Sequence, residues 1–528
     1  MVKKTEIVIK TIKIIAYLTG KLLLAFLIFF VLLAIGSADW FLQVFGEMDF
    51  SIVVYQLFSP MEGTSSEIFV RYCNDVLIPT SSITVSVMLI YTFCDIIFRK
   101  CFIKVGIAFR NREIKLSIHK KTYFIYKWIL LVTAWTGLFF VLISKAVAVR
   151  IPEYLEEIRN SSTLFEDEYV EPKNTKIEFP ENKRNLILIY LESMESTYAS
   201  TSEGGAKPIN YIPELTDLAN RYLNFSDSDK LGGGHGYTEG WTMAGLLGSS
   251  TGVPYKLPVE GNSAGEYEQF LPGLTGLGDI LQEAGYKNYF MCGSDATFGG
   301  REAFYLQHGE YEILDYKRAR EDGFIPMDYQ VFWGMEDEKL YSYAKEKLKL
   351  IGAEEEPFNF TMLTVDTHHP DGYICKLCEN IYPEQYANAI ACASKQAVEF
   401  VKWIQRQDWY ENTTIVIVGD HTSMNNNFWD DIGDYERTIY NCFINYPDDL
   451  SVFNSNYREF STLDMFPTIL AALGVKIKGE RLGLGVNLFS DEKTLPEKMG
   501  KDVYISELKK YSNFYFSQFV VDKTDNEN

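Results

Sequence analysis

The chain has 528 residues, enough for a membrane segment plus one large or two medium globular domains. Residues 1–150 carry 17 Lys and Arg against 9 Asp and Glu, a net of +8, whereas the remaining 378 residues carry 33 against 62, a net of −29. So sharp a change places the two parts in different environments. The acidic part would be repelled by nucleic acid phosphates, and with 15% aromatic residues overall the chain has the core formers that a disordered protein lacks.

Three apolar stretches come first, near residues 14–36, 76–98 and 124–149. Each approaches the ~20 residues that cross a hydrocarbon layer. The first is uncharged after Lys21, a residue that can snorkel to the interface, and no convincing small-residue cleavage site follows Ile35, so a membrane span is favoured over a cleaved signal peptide. Loop charge sets the orientation. Lys3, Lys4, Lys10 and Lys13 precede the first stretch. Arg99, Lys100, Lys104, Arg110, Arg112, Lys115, Lys120 and Lys121 lie between the second and third, opposed by Glu113. The intervening loop is acidic, with Asp39, Glu47, Asp49, Glu62, Glu67 and Asp75 against Arg71. The N-terminus and the basic loop are therefore expected in the cytoplasm. The expected protein is a multi-pass cell-membrane protein, embedded in the lipid bilayer, with everything after Arg150 outside, in the periplasm or extracellular space.

Residues 151–184 are polar, rich in Glu with scattered Pro, and read as a linker. Asn185-Leu-Ile-Leu-Ile-Tyr-Leu191 is then a short, wholly apolar run ending at Glu192, as suits a strand buried on both faces. Similar runs recur at 360–365 and at 414–418, the latter followed by Gly419-Asp420-His421, with helical spacing at 385–405 between them. Strands alternating with helices predict an α/β layered domain, in which ligands gather beyond the carboxyl ends of the strands. Glu192, residues 366–369 and Asp420-His421 all fall at such ends. The predicted division is a membrane region 1–150, a linker 151–184, a catalytic domain 185–490 and a C-terminal extension 491–528. Among the outer cysteines, Cys375 and Cys378 form a CxxC with no second CxxC and no His pair at zinc-finger spacing, which reads as a loop-closing disulfide more readily than a redox or zinc site.

Glu192 and Asp420-His421 could each merely cap a turn. Together they supply two carboxylates and an imidazole, hard ligands for Mn²⁺, Mg²⁺ or Zn²⁺. The segment Gly232-Gly-Gly-His-Gly-Tyr-Thr-Glu-Gly-Trp-Thr242-Met-Ala-Gly-Leu-Leu-Gly248, which includes His235, is a glycine-rich loop entering a helix-like stretch. A Thr at that junction lies near free backbone N–H groups and the positive end of the helix dipole, a place that favours a phosphate and a developing alkoxide. The loop lacks GxxxxGK[ST] and is no nucleotide P-loop. Thr242 as a plain N-cap is the bland alternative, and Thr238 is a rival for the same role.

Glu192 after a strand, a Thr before a helix with Gly six residues on, and a late Asp-His pair resemble the alkaline phosphatase and sulfatase superfamily. Gly240-Trp-Thr-Met-Ala-Gly245, Cys292-Gly-Ser-Asp-Ala-Thr-Phe-Gly-Gly-Arg301, Thr364-Val-Asp-Thr-His-His-Pro-Asp-Gly372 and Arg481-Leu-Gly-Leu-Gly-Val-Asn487 are more narrowly similar to the membrane-bound phosphoglycerol transferases. That group includes the enzyme that decorates osmoregulated periplasmic glucans and, more distantly, the lipoteichoic acid synthases. The resemblance spans about residues 185–488. It implies a central mixed sheet between helices, behind a membrane region of about three spans. It also implies one divalent ion, Mn²⁺ by family habit, on Glu192, Thr242, Asp420 and His421. His368 and Arg301 match positions that hold the substrate phosphate and glycerol, with Asp295 or Ser294 nearby, and His235 and His369 join the candidate substrate contacts.

The implied reaction moves sn-glycerol 1-phosphate from phosphatidylglycerol to an extracytoplasmic glycan through an ester on Thr242, releasing diacylglycerol. His368 would protonate or hold an oxygen. The lipoteichoic acid synthases carry a His and a Trp where this chain has Cys292 and Gly299, so those two glycerol contacts do not transfer, and those synthases have five spans rather than three. A second metal site through Asp366 and His369 would need further Asp and His ligands, and the chain has six His. The C/S-x-P-x-R context of sulfatases is absent from Gly240-Trp-Thr-Met-Ala. The alternatives are a phosphoethanolamine transferase, which would want a carboxylate near the donor amine, and a non-catalytic membrane sensor, which would be expected to lack a metal ligand.

Overall fold

The computed structural model of the protein describes residues 2–45, 50, 53–54, 66–100, 104–109, 112–117, 120–256, 269–424, 427–429 and 431–520. Of the loop charges used above for orientation, Glu47, Asp49, Glu62 and Arg110 lie outside these residues. The described residues divide into two compact units, one built from residues up to 152 and the other mainly from residues 153 onward.

The first unit is built on helices α1 (Val2–Phe45), α2 (Ile78–Lys100) and α3 (Lys120–Ala148), with a hairpin of Lys104–Phe109 against Arg112–Ser117 between α2 and α3. Among the described residues three stretches, Ile9–Phe45, Phe69–Ile96 and Lys127–Ala148, are long and apolar enough to cross a membrane. The shortest has 22 residues, and at ~1.5 Å per residue it covers the ~30 Å hydrocarbon layer. The charges of Lys21, Lys127 and Asp95 within them are paired. Lys127 Nζ lies 2.8 Å and Lys21 Nζ 4.0 Å from the buried Asp95 carboxylate, which also accepts the Tyr17 hydroxyl at 2.7 Å. Lys21 is thus held by α2, and the three helices are joined by one ion set whose mutual satisfaction makes it tolerable in an apolar layer.

The second unit is organised by a seven-stranded sheet. Its strands are β1 (Asn185–Leu191), β2 (Gly233–Gly234), β3 (Lys287–Cys292), β4 (Glu312–Leu314), β5 (Phe358–Leu363), β6 (Thr413–Gly419) and β7 (Ile439–Ile444). Their spatial order is β2-β7-β6-β1-β5-β3-β4. β6, β1, β5, β3 and β4 run parallel, β7 is antiparallel to β6, and β2 pairs antiparallel with β7 and so runs with the other five. The mixed sheet lies between two helical layers. Leu186, Leu188 and Tyr190 face one core together with Leu246, Leu247 and Phe466. Ile187, Ile189 and Leu191 face the other, with Leu340, Ile390 and Phe400. Burial on both faces is why β1 reads as an unbroken apolar run rather than an alternating one. Each such side chain contributes roughly 1.5–3 kcal/mol.

Residues 153–184 are fastened to this unit. Phe165 is 2% exposed and packs with Phe514, Tyr515 and Phe519, and Ile177–Glu178 pairs with Lys476–Ile477. Tyr504, Leu508 and Phe519, beyond residue 490, also belong to the core. The disulfide expected between Cys375 and Cys378 is not formed. Their sulfurs stand 3.6 Å apart as free thiols, against a bond of about 2.05 Å.

Candidate functional site

Because β1, β5 and β6 are parallel neighbours, their carboxyl ends open on one edge of the sheet. The register pairs Tyr190 with Leu363 and Leu191 with Gly419, so the next residues, Glu192, Thr364 onward and Asp420-His421, emerge side by side. This is the place where α/β sheets collect ligands.

The ligand atoms of Glu192, Asp420 and His421 lie within 4.8 Å of one another, and all three residues are buried. His421 Nδ1–H donates to the Thr422 carbonyl at 2.8 Å, which turns Nε2 toward Glu192 Oε1 at 3.3 Å and Asp420 Oδ2 at 3.5 Å. Thr242 stands at the mouth of this group. Its hydroxyl donates to Glu192 Oε2 at 3.2 Å and lies 3.5 Å from His421 Nε2. It is the first residue of helix α4 (Thr242–Thr251), with Trp241 extended before it. Two glycines permit the approach. A Cβ on Gly245 would meet the Asp420 carbonyl oxygen at 2.0 Å, and one on Gly419 would meet that of Met194 at 2.0 Å.

The donor set fits a hard divalent cation. Two carboxylates and an imidazole buried together are costly without a compensating charge, and Asp420 Oδ2 accepts no hydrogen bond among the described residues. Burial and the Glu192 charge push Asp420 up to about 8. Burial would also raise Glu192, but His368 and His421 outweigh it and hold that carboxyl below its usual range.

His368 follows β5 in a turn where the Gly372 N–H donates to its carbonyl at 3.1 Å. Its Nδ1–H donates to the His369 carbonyl at 2.8 Å, and the Trp333 ring lies 4.6 Å away. Burial lowers its pKa against the opposing pull of Glu192. Arg301, 5% exposed, donates to the Asp295 carbonyl at 2.8 Å, while its Nε has no hydrogen-bond acceptor among the described residues. Its charge acts on His368. The Asp295 carboxylate is occupied by Lys317 at 2.9 Å and by Thr297. Ser294 is buried, with its carbonyl accepting the Cys292 thiol at 3.2 Å.

His369 is buried beside His368. His235 is not brought to the cluster. It stacks on Tyr237 and lies 3.4 Å from Glu459. Thr238 is also turned away, donating to Glu239.

Several supporting residues carry no signal in the sequence. Ser193 has φ 51, a left-handed conformation that costs a non-glycine residue. It directs its N–H to Asp420 Oδ1 at 2.7 Å and its hydroxyl to Glu192 Oε1 at 2.8 Å. The Asp337 carboxylate accepts the Val365 N–H at 2.7 Å and the Asp366 N–H at 3.2 Å, bracing the turn that leads to His368. The buried Glu195 accepts Ser423 N–H at 2.7 Å and pairs with Arg437, bracing the segment after His421.

The sequence profile of the sulfatase family matches residues 184–475. That span includes the whole sheet and every residue of the cluster, and the chain belongs to the sulfatase family. Among curated proteins it is similar to phosphoglycerol transferase I of Salmonella choleraesuis (strain SC-B67), 32% identical over 343 residues, covering 64% of this chain and 42% of that protein. The phosphoglycerol transferase I of Salmonella typhimurium is 32% identical over 324 residues, covering 60% and 40%. The chain thus spans about two fifths of the length of these relatives. Among solved structures it is similar to the lipoteichoic acid synthase LtaP from Listeria monocytogenes (20% identity, 60% of this chain and 79% of that chain, TM-score 0.45). It is also similar to the lipooligosaccharide phosphoethanolamine transferase EptA from Neisseria meningitidis (11% identity, 86% and 84%, TM-score 0.48).

Proposed function

We propose that the protein is a membrane-tethered phosphoglycerol transferase that moves phosphoglycerol from phosphatidylglycerol to an extracytoplasmic glycan by way of Thr242. The observation that carries this reading is the Thr242 hydroxyl at the first turn of α4, within 3.2 Å of Glu192 and 3.5 Å of His421. The likeness to phosphoglycerol transferase I at 32% identity supports the choice of group transferred. Spans that anchor the chain in the bilayer would raise its effective concentration at a lipid donor.

Glu192, Asp420, His421 and Thr242 would hold the divalent ion, Mn²⁺ in the first instance. When bound it supplies positive charge that lowers the hydroxyl pKa and offsets charge on phosphate oxygens. In the first step the Thr242 oxygen attacks phosphorus, the bond to the diacylglycerol oxygen breaks, and the proton lost by Thr242 ends on diacylglycerol. In the second step a sugar hydroxyl attacks the phosphoglycerol ester, the bond to Thr242 breaks, and the sugar proton returns to the Thr242 oxygen. His368, with Nδ1–H engaged by a carbonyl, presents Nε2 to accept and return that proton. Arg301, with Nε uncommitted, grips the non-bridging phosphate oxygens.

The test is the intact mass of the detergent-purified protein after incubation with phosphatidylglycerol. A glycerophosphoryl addition on the peptide containing Trp241 and Thr242 supports the proposal. An ethanolamine-phosphate addition, obtained from phosphatidylethanolamine alone, would move the donor to that lipid. An unmodified Thr242 during turnover would remove the covalent step.

A further inference from the structure

Away from the Glu192 cluster, three thiols meet under the turn that carries His368. Cys375 Sγ lies 3.6 Å from Cys378 Sγ and 3.9 Å from Cys392 Sγ, and the ligand atoms of all three fall within 4.8 Å of one another. Cys375 and Cys378 belong to the loop after β5, and Cys392 to helix α5 (Gln385–Ile404). Cys375 and Cys392 are buried and Cys378 is half-buried, which leaves one side of the group open.

Three sulfurs cannot all be consumed by one disulfide, and none of these pairs is at bonding distance. The spacing matches another chemistry. With Zn–S about 2.3 Å and tetrahedral angles, neighbouring thiolates on one ion stand about 3.8 Å apart, between the two separations observed here. The Gln396 amide, one turn after Cys392 on the same helix, points its Nε2 at Cys392 Sγ at 3.5 Å and Cys375 Sγ at 3.8 Å. N–H donors aimed at thiolate sulfur offset the excess negative charge of three thiolates on a dication. The soft donor set is also distinct from the oxygen and nitrogen set of the Glu192 cluster and selects a thiophilic metal.

We propose that Cys375, Cys378 and Cys392 form a second metal site that binds one Zn²⁺ or similar thiophilic dication through three thiolates, with the open side beside Cys378 left for water as fourth ligand. Binding releases the three thiol protons to solvent and forms three metal–sulfur bonds, with no change in oxidation state. Its place in the fold defines its role. Tyr373 N–H donates to the Asp366 carbonyl at 2.7 Å and the Gln385 side chain to the Gly372 carbonyl at 2.9 Å, so the segment after His368 already leans on α5. The metal would clamp that segment and thereby fix the turn bearing His368.

The test measures metal content of the full-length protein, purified in detergent from zinc-containing medium without chelator. About one Zn²⁺ per chain is expected, retained in Glu192→Gln and lost in Cys375→Ser and Cys392→Ser. Non-reducing peptide mapping should find none of the three cysteines cross-linked, and denaturation should release the zinc and make Cys375, Cys378 and Cys392 reactive as thiols. The Co²⁺-loaded wild-type protein should show sulfur-to-cobalt charge-transfer absorption, an answer that needs no variant to fold. A Cys375–Cys378 or Cys375–Cys392 cross-link overturns the proposal. So do three free thiols without metal, and so does zinc that survives Cys392→Ser but leaves with Glu192→Gln.

Discussion

The Thr242 hydroxyl donates to Glu192 Oε2 at 3.2 Å, joining the first turn of α4 to the carboxyl end of β1, 50 residues earlier in the chain. Thr238, four residues upstream, donates instead to Glu239. Thr242→Ala should therefore abolish both the covalent adduct and transfer, a loss of at least ~10³-fold in kcat as befits a nucleophile. Thr238→Ala should keep the adduct and change kcat by less than about tenfold. Mass spectrometry of the trapped protein and steady-state rates distinguish the two, and transfer persisting in Thr242→Ala would sink the assignment of the nucleophile.

The buried trio predicts what each ligand does. Glu192→Gln, Asp420→Asn and His421→Ala should each lower content of the hard metal and bring turnover below detection, with circular dichroism close to that of the wild-type protein. Chelator should inactivate the wild-type enzyme, and Mn²⁺ should restore it at least as well as Mg²⁺. Full activity in any one variant means that residue is not a ligand.

How much of this was legible in the sequence follows from which interactions are local. β1, β5 and β6 are buried on both faces, so they read as continuous apolar runs, and the residues just beyond them marked the sheet edge where Glu192, Asp420 and His421 meet. Thr242 is favoured over Thr238 by its place before the Met243–Gly248 stretch and by the resemblance that stretch carries. Its contact with Glu192 depends instead on how α4 lies against the sheet. Ser193 carries no signal, since the carboxylate its N–H meets belongs to Asp420, 227 residues away. Asp337 is likewise recruited from the start of a distant helix. The CxxC at Cys375 and Cys378 was visible as a pair, but Cys392 joins it through helix packing that no spacing rule describes.

Orientation rests on the loop charges. With the 99–121 loop in the cytoplasm, protease added to intact spheroplasts should digest the large unit and spare that loop. Protection of the large unit would reverse the topology and deny it lipid in the outer leaflet.

Gly245 sets the distance between α4 and the cluster. A methyl group there would sit 2.0 Å from the Asp420 carbonyl oxygen, a backbone atom that cannot swing aside. Gly245→Ala should push α4 off the sheet edge and carry Thr242 with it. Misplacement of a reacting group by ~1 Å costs about 10²-fold in rate, so kcat should fall by about that factor. Metal content should change less, because Glu192, Asp420 and His421 come from other elements. Wild-type kcat in a folded Gly245→Ala protein would show that the approach is not tight.

Glu239 supplies a pH dependence separate from the metal ligands. It is 1% exposed, its carboxylate receives the Thr238 hydroxyl and N–H, and burial pushes it up to about 7. A carboxyl raised in the folded state binds its proton more tightly there than in the unfolded chain. Its contribution to stability is therefore complete below the ordinary value of 4.5 and is lost as pH rises through about 7. A rise of that size corresponds to a few kcal/mol at most, at about 1.4 kcal/mol per unit. Thermal unfolding of the detergent-solubilised protein should give a Tm that declines between pH 5 and 8 (roughly the window these two values bracket). Glu239→Gln, unable to ionise, should flatten that decline and be relatively more stable than wild type at the alkaline end. Parallel wild-type and Glu239→Gln profiles across the window would mean that Glu239 titrates at its ordinary value in the folded protein.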